Sequence, residues 1–97
     1  ITAGSTQTQA GATALTTENN VVTIIGTNGD GVKLPTAVAG MEVKILNSDS
    51  AQTLQVWPGT SDTIDGEAAD AVDPLQINAG GDRNYLAVDA TSWVYFN

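Results

Sequence analysis

The side chains with the most chemical potential in this chain are carboxylates. Asp62, Asp65, Glu67, Asp70 and Asp73 crowd into one acidic, alanine-rich stretch, residues 62–73. Two carboxylates flanking a sugar can cleave a glycosidic bond, one as acid and the other as base or nucleophile. That reaction also needs a substrate cleft, usually lined by aromatics, and 97 residues are a small scaffold for one. Convergent carboxylates can instead hold Ca²⁺, which takes about six to eight oxygen ligands. Asp62-Thr63-Ile64-Asp65-Gly66-Glu67 sets acids around a glycine turn, but it departs from the Asp-x-Asp-x-Asp-Gly pattern of a calcium loop. A solvated acidic loop explains the stretch without any ligand. In Asn28-Gly29-Asp30-Gly31, turn formation alone accounts for every residue.

Nucleophilic chemistry fares worse. Serines are present, but there is no histidine to serve as base and no cysteine to serve as thiolate. Lys33 and Lys44 are the only amines on side chains. Nothing marks either as a base, and Lys44 sits at an outward, solvent-facing position of an alternating segment. Trp57 and Trp93 could stack on sugar rings, yet each lies in a β-rich run where core packing is the default. No glycine-rich loop precedes a helix, so nucleotide binding has no support. The expectation is a non-enzyme, with no catalytic residue, no cofactor and no metal ion.

Charge narrows the partners. The net charge is −8, and the cations are Lys33, Lys44 and Arg83. Nucleic acid and anionic lipid would repel such a chain, and no run of about 18 apolar residues offers a helical membrane span. The expected partners are therefore other proteins. Without cysteines no disulfide can reinforce the fold. Much of the 41% hydrophobic fraction is alanine, so the core should be thin and open to completion by a neighbouring subunit.

The elements that would position these groups read as strands. Residues 1–17 are small, polar and uncharged, and are expected to form an extended N-terminal arm. Residues 18–97 are expected to form a single β domain. Val21-Val22-Thr23-Ile24-Ile25 is β-branched throughout. It is followed by overlapping Asn-Gly and Asp-Gly turn signals and then Val32-Lys33-Leu34, a hairpin pattern. Met41-Glu42-Val43-Lys44-Ile45 alternates apolar and charged, and Thr53-Leu54-Gln55-Val56-Trp57 follows the turn at Asn47-Ser48-Asp49-Ser50. These two runs are expected to pair as a hairpin. Leu75-Gln76-Ile77 is a short strand, and Tyr85-Leu86-Ala87-Val88 should pair with Ser92-Trp93-Val94-Tyr95-Phe96 as a hairpin. No segment sustains helical periodicity. The fold class is all-β: a small, jelly-roll-like sandwich or barrel of about 6–8 short antiparallel strands.

The order of several pieces is more specific than any one of them. Leu34-Pro35 leads into Gly40-Met41-Glu42-Val43-Lys44-Ile45-Leu46-Asn47, then Leu54-Gln55-Val56-Trp57-Pro58, Asp62-Thr63-Ile64-Asp65-Gly66, Asn78-Ala79-Gly80-Gly81 and Ala90-Thr91-Ser92-Trp93. Over residues 32–97 this resembles small β modules of tailed-bacteriophage virion proteins. The resemblance implies a capsid decoration, or cement, protein on the outer surface of the virion. It implies a homotrimer that binds the major capsid protein and stabilises the mature head. The alternative it implies is a head- or tail-fibre module that binds a receptor or glycan. It implies no catalytic residue, and the arm at 1–17 lies outside the matching pattern.

Overall fold

The alternation predicted for 41–45 is the clearest feature of the computed structural model, which describes residues 1–95. Strand β4 (Glu42–Asn47) buries Val43, Ile45 and Asn47 and exposes Glu42, Lys44 and Leu46. Seven further strands accompany it: β1 (Thr13–Ala14), β2 (Asn19–Val22), β3 (Gly31–Lys33), β5 (Gln55–Trp57), β6 (Thr63–Ile64), β7 (Asp82–Ala87) and β8 (Ser92–Tyr95). The described residues contain no helix. One sheet has the order β1-β3-β5 and the other β2-β4-β7-β8-β6. Val32, Leu34, Leu54 and Val56 from the smaller sheet and its flanks share one core with Val22, Val43, Ile45, Ile64, Tyr85 and Trp93 from the larger.

The all-β expectation holds, but the all-antiparallel one is corrected. β1–β3, β3–β5, β2–β4 and β6–β8 pair in parallel, while β4–β7 and β7–β8 are antiparallel. The pairings close no barrel. From β1 to β5 the chain alternates between the sheets, so each strand lies parallel to the one two places earlier. Parallel neighbours need a long crossover, usually a helix. Here the crossover is a strand of the opposite sheet, which makes the first half of the molecule a coil of strands.

That winding overturns two expected hairpins. The runs at 21–25 and 32–34 belong to different sheets, as do those at 41–45 and 53–57. Each has one apolar face. Side by side, those faces would lie on the same surface and still need a cover; in opposite sheets they cover each other. The turn residues at 28–31 and 47–50 are therefore corners between sheets. The C-terminal hairpin forms as expected, with Tyr85 opposite Tyr95 and Ala87 opposite Trp93; its last position, Phe96, lies outside the described residues. The run at 75–77 contributes only a bridge from Ile77 to Leu54.

Residues 1–17 lie on the chain's own domain. Ala3 donates its N–H to the Ile24 carbonyl at 2.9 Å, Gly4 and Gly31 exchange backbone bonds, and Leu15 donates to the Lys33 carbonyl. Ala3 and Leu15 are the buried apolar anchors of this segment.

Asn47 holds the corner after β4. Its side-chain amide donates to the carbonyls of Gln52 (2.9 Å) and Ile77 (3.0 Å), and its oxygen accepts the N–H of Asp49. The residue is fully buried. Asn47→Ala leaves these groups without that partner in a dry interior, so urea unfolding should show a loss of about 2–4 kcal/mol. Ser50→Ala, on the exposed tip of the same corner, should stay within about 0.5 kcal/mol of the parent. Equal effects from the two substitutions would refute this role for Asn47.

Candidate functional site

Burial divides the acidic stretch. Asp62 and Asp73 are almost completely buried, whereas Asp65, Glu67 and Asp70 are exposed. The carboxylate of Asp62 accepts the N–H of Ala37 at 2.8 Å, fastening the loop after β3 to the start of β6. Pro58-Gly59 passes against the same point. A Cβ on Gly59 would come within 2.7 Å of the Pro35 carbonyl and 2.8 Å of the Asp62 carboxylate, which is why the close approach uses glycine.

Asp73 anchors the other end of the stretch. It accepts the Tyr85 hydroxyl at 2.6 Å and the Leu75 N–H at 3.0 Å, and it pairs with the Arg83 guanidinium at 3.4 Å. Arg83 also donates to the Leu75 carbonyl and lies 5.0 Å from the centre of the Tyr95 ring, which meets Tyr85 edge-on. Burial, aided by the neighbouring carboxylate, pushes the Tyr85 hydroxyl pKa far up, so it acts as a neutral donor. Every oxygen and nitrogen named in this cluster has a structural partner, and Asp62 and Asp73 are held by different segments. Among the described residues no three acidic side chains come together at a spacing that could hold a metal ion.

The exposed acids are held by turn geometry. Asp70 accepts from Gln9 and from the Ser61 N–H, and the first of these chiefly lowers its pKa. Gln9 lies in the N-terminal segment and also donates to the Pro58 carbonyl at 3.0 Å, so the acidic stretch and that segment are tied together. Asp49 is lowered by the N–H groups of Ala51, Gln52 and Ile25, and Asp89 first by the Thr91 N–H and then by the Ser92 side chain. Asp30, buried inside the 28–31 turn, accepts from Gln7 and the Thr27 N–H.

The other candidates separate as simply. Trp93 is wholly buried and Trp57 half-buried. Their indole N–H groups, with the side-chain oxygen of Gln55, find no hydrogen-bond partner among the described residues. Lys44 stands exposed on β4, and Lys33 is half-buried on β3. Two surface depressions adjoin residues discussed above. The larger, of about 390 Å³, lies between Thr16-Thr17-Glu18 and Gly40-Met41-Glu42-Val43, with Pro35 on its wall. The smaller, of about 200 Å³, runs over β2, β4 and β7 around Lys44, Asp82 and Asn84. Sequence reasoning missed the larger groove because its two walls come from segments far apart in the chain. Backbone pairing joins them: the Lys44 N–H donates to the Glu18 carbonyl at 2.6 Å.

No family model matches the chain, and no curated protein or solved structure matches it either.

The lowered carboxylates fix the sign of an acid effect. Asp49, Asp70 and Asp89 favour the folded chain while charged. Their contribution is complete above the ordinary aspartate value of 3.8 and is lost as pH falls through their lower folded values. The melting temperature should therefore fall as pH drops below about 4. Asp49→Asn should melt lower than the parent at pH 7, and the gap should narrow as pH falls through the lowered folded value of Asp49. A gap between the two that stayed constant across this range would show that the charge of Asp49 is irrelevant.

Proposed function

We propose that this chain is a non-enzymatic structural module that works by covering neighbouring protein subunits. The observation that carries the reading is apolar surface left outside a small core. Val21 and Leu46 face each other across β2 and β4, and both are exposed. Ile1 and Ile24 extend this surface along the same edge, where the Ile1 amine donates to the Val21 carbonyl and Thr2 bridges Ile24. Val38 and Val88 are exposed at the other end, where the Gly40 N–H meets the Ala87 carbonyl. Single exposed apolar residues are ordinary, but neighbouring ones mark contact surfaces. Burying them on a partner would add roughly 25 cal/mol per Å².

The viral setting rests on the resemblance of residues 32–97 to phage virion modules. On that basis the chain is a capsid decoration protein, a homotrimer bound to the major capsid protein on the outside of the virion. Binding only the assembled shell would stabilise the shell by linkage. Many weak contacts would hold through multivalency. The fibre-module alternative needs an aromatic platform for a glycan. Burial of Trp93 and Tyr85 and half-burial of Trp57 and Tyr95 leave it without a fully exposed ring among the described residues.

Sedimentation at micromolar concentration should give three times the chain mass, and the protein should co-sediment with isolated phage heads rather than tails. Leu46→Glu, which places a charge inside the exposed pair, should weaken both associations and leave the thermal unfolding of the single chain nearly unchanged. A strict monomer that ignores heads would refute the decoration reading. Selective binding to tails would favour the fibre module.

A further inference from the structure

We propose that the groove between residues 16–18 and 40–43 receives a basic side chain, lysine or arginine, presented by a partner protein. This deepens the reading of the chain as a docking module by naming the chemistry of one contact. The groove brings together three features. Pro35 and Met41 supply apolar wall; both are half-buried, and Met41 packs against the core. Glu18 and Glu42 line the same hollow from opposite walls; both are exposed, and neither forms an ion pair with a described residue. Gly40 also lines the hollow, with φ of 88°, and a Cβ there would meet nothing within 4 Å, so that part of the wall is open.

A cation on a long aliphatic stem complements all three. Its methylene groups can lie along Pro35 and Met41 while the charged head reaches carboxylates at the rim. Arginine adds a planar fork that can bridge two acceptors. The volume, about 390 Å³, exceeds what a small inorganic ion needs and lies in the range of organic ligand sites. Among the described residues no ion pair from Lys33, Lys44 or Arg83 satisfies the glutamates. Lys44 lines the smaller depression instead, beside Asp82, so that hollow carries both signs of charge and selects no partner. The net charge of −8 adds long-range attraction for a basic surface.

The test uses the ¹⁵N-labelled full chain and three blocked tripeptides: acetyl-Gly-Arg-Gly-amide, acetyl-Gly-Lys-Gly-amide and acetyl-Gly-citrulline-Gly-amide. Citrulline keeps the shape of arginine and removes its charge. The arginine and lysine peptides should shift amides at 16–18 and 40–43, and the citrulline peptide should not. Glu18→Gln with Glu42→Gln should weaken the arginine peptide about fivefold or more while amide dispersion stays that of a folded chain. Asp65→Asn with Glu67→Gln removes the same charge from the acidic stretch and should leave binding unchanged. Equal binding of citrulline, or equal weakening by the distant pair of substitutions, would overturn the proposal. These outcomes do not depend on virions. Peptide binding without capsid binding would remove the viral setting and leave the groove; capsid binding without peptide binding would do the reverse.

Discussion

The structure depends on satisfying backbone polar groups at the corners where the chain crosses from one sheet to the other. A coil of parallel strands without helices has many such corners, and they are short and partly buried. A buried N–H or carbonyl without a partner costs about 1–3 kcal/mol. Four buried polar side chains meet the need: Asp30 at the turn before β3, Asn47 after β4, Asp62 before β6 and Asp73 ahead of β7. Each accepts from or donates to backbone of a neighbouring segment. They are the polar counterpart of the apolar core, and they let short strands of two to six residues hold a defined register.

This explains which parts of the fold could be read in the sequence. Strand β4 was legible because its period-two pattern is a direct image of one buried face. The β7–β8 hairpin was legible because Asp89-Ala90-Thr91 is a local turn with strands to match on both sides. Partner choice in the first half was not legible. An alternating strand looks the same whether its neighbour is parallel or antiparallel, and Asn28-Gly29 or Asn47-Ser48-Asp49 bends the chain equally well into a hairpin or a corner. What decides is which apolar faces can cover one another, a property of distant segments. The acidic stretch shows the same limit. Asp62 and Asp73 are chemically identical to Asp65 and Asp70 in the sequence, yet the first pair is interior and the second exposed. The available hint was position: Asp62 and Asp73 stand at the ends of the stretch, beside Thr63-Ile64 and ahead of Pro74-Leu75, where a carboxylate can pin entry into ordered backbone.

The same distribution shapes the charge that partners meet. Three of the acids are turned inward and one of the cations, Arg83, is spent on Asp73. The surface that remains is acidic, with Lys44 its one fully exposed lysine or arginine among the described residues. Glu18 and Glu42 belong to that surface but differ from Asp65 and Glu67 in their setting, since apolar wall lies beside them. Candidate chemistry in the sequence was thus concentrated in residues 62–73, while the most distinctive concave surface formed elsewhere, where the end of the N-terminal segment meets the start of β4.

The N-terminal segment bears on how such a module can make contacts. A free arm could add a strand to a neighbour's sheet. In the single chain this segment is already engaged, through backbone bonds from Ala3, Gly4 and Leu15 and through Gln7 and Gln9 to Asp30 and Asp70. It also occupies part of the open edge of β2, where Ile1 meets Val21 and Thr23. To reach a neighbour it would first give up those bonds, and only an equivalent set in the partner could offset the loss. Sheet faces and loop-walled grooves need no such exchange. Contacts built on the Val21–Leu46 face and on the groove beside Glu18 and Glu42 would form with the domain as it stands, so ordering costs on binding would stay small. Weak sites of that kind, if repeated over a symmetric assembly, would reach strong retention by number rather than by the depth of any one of them.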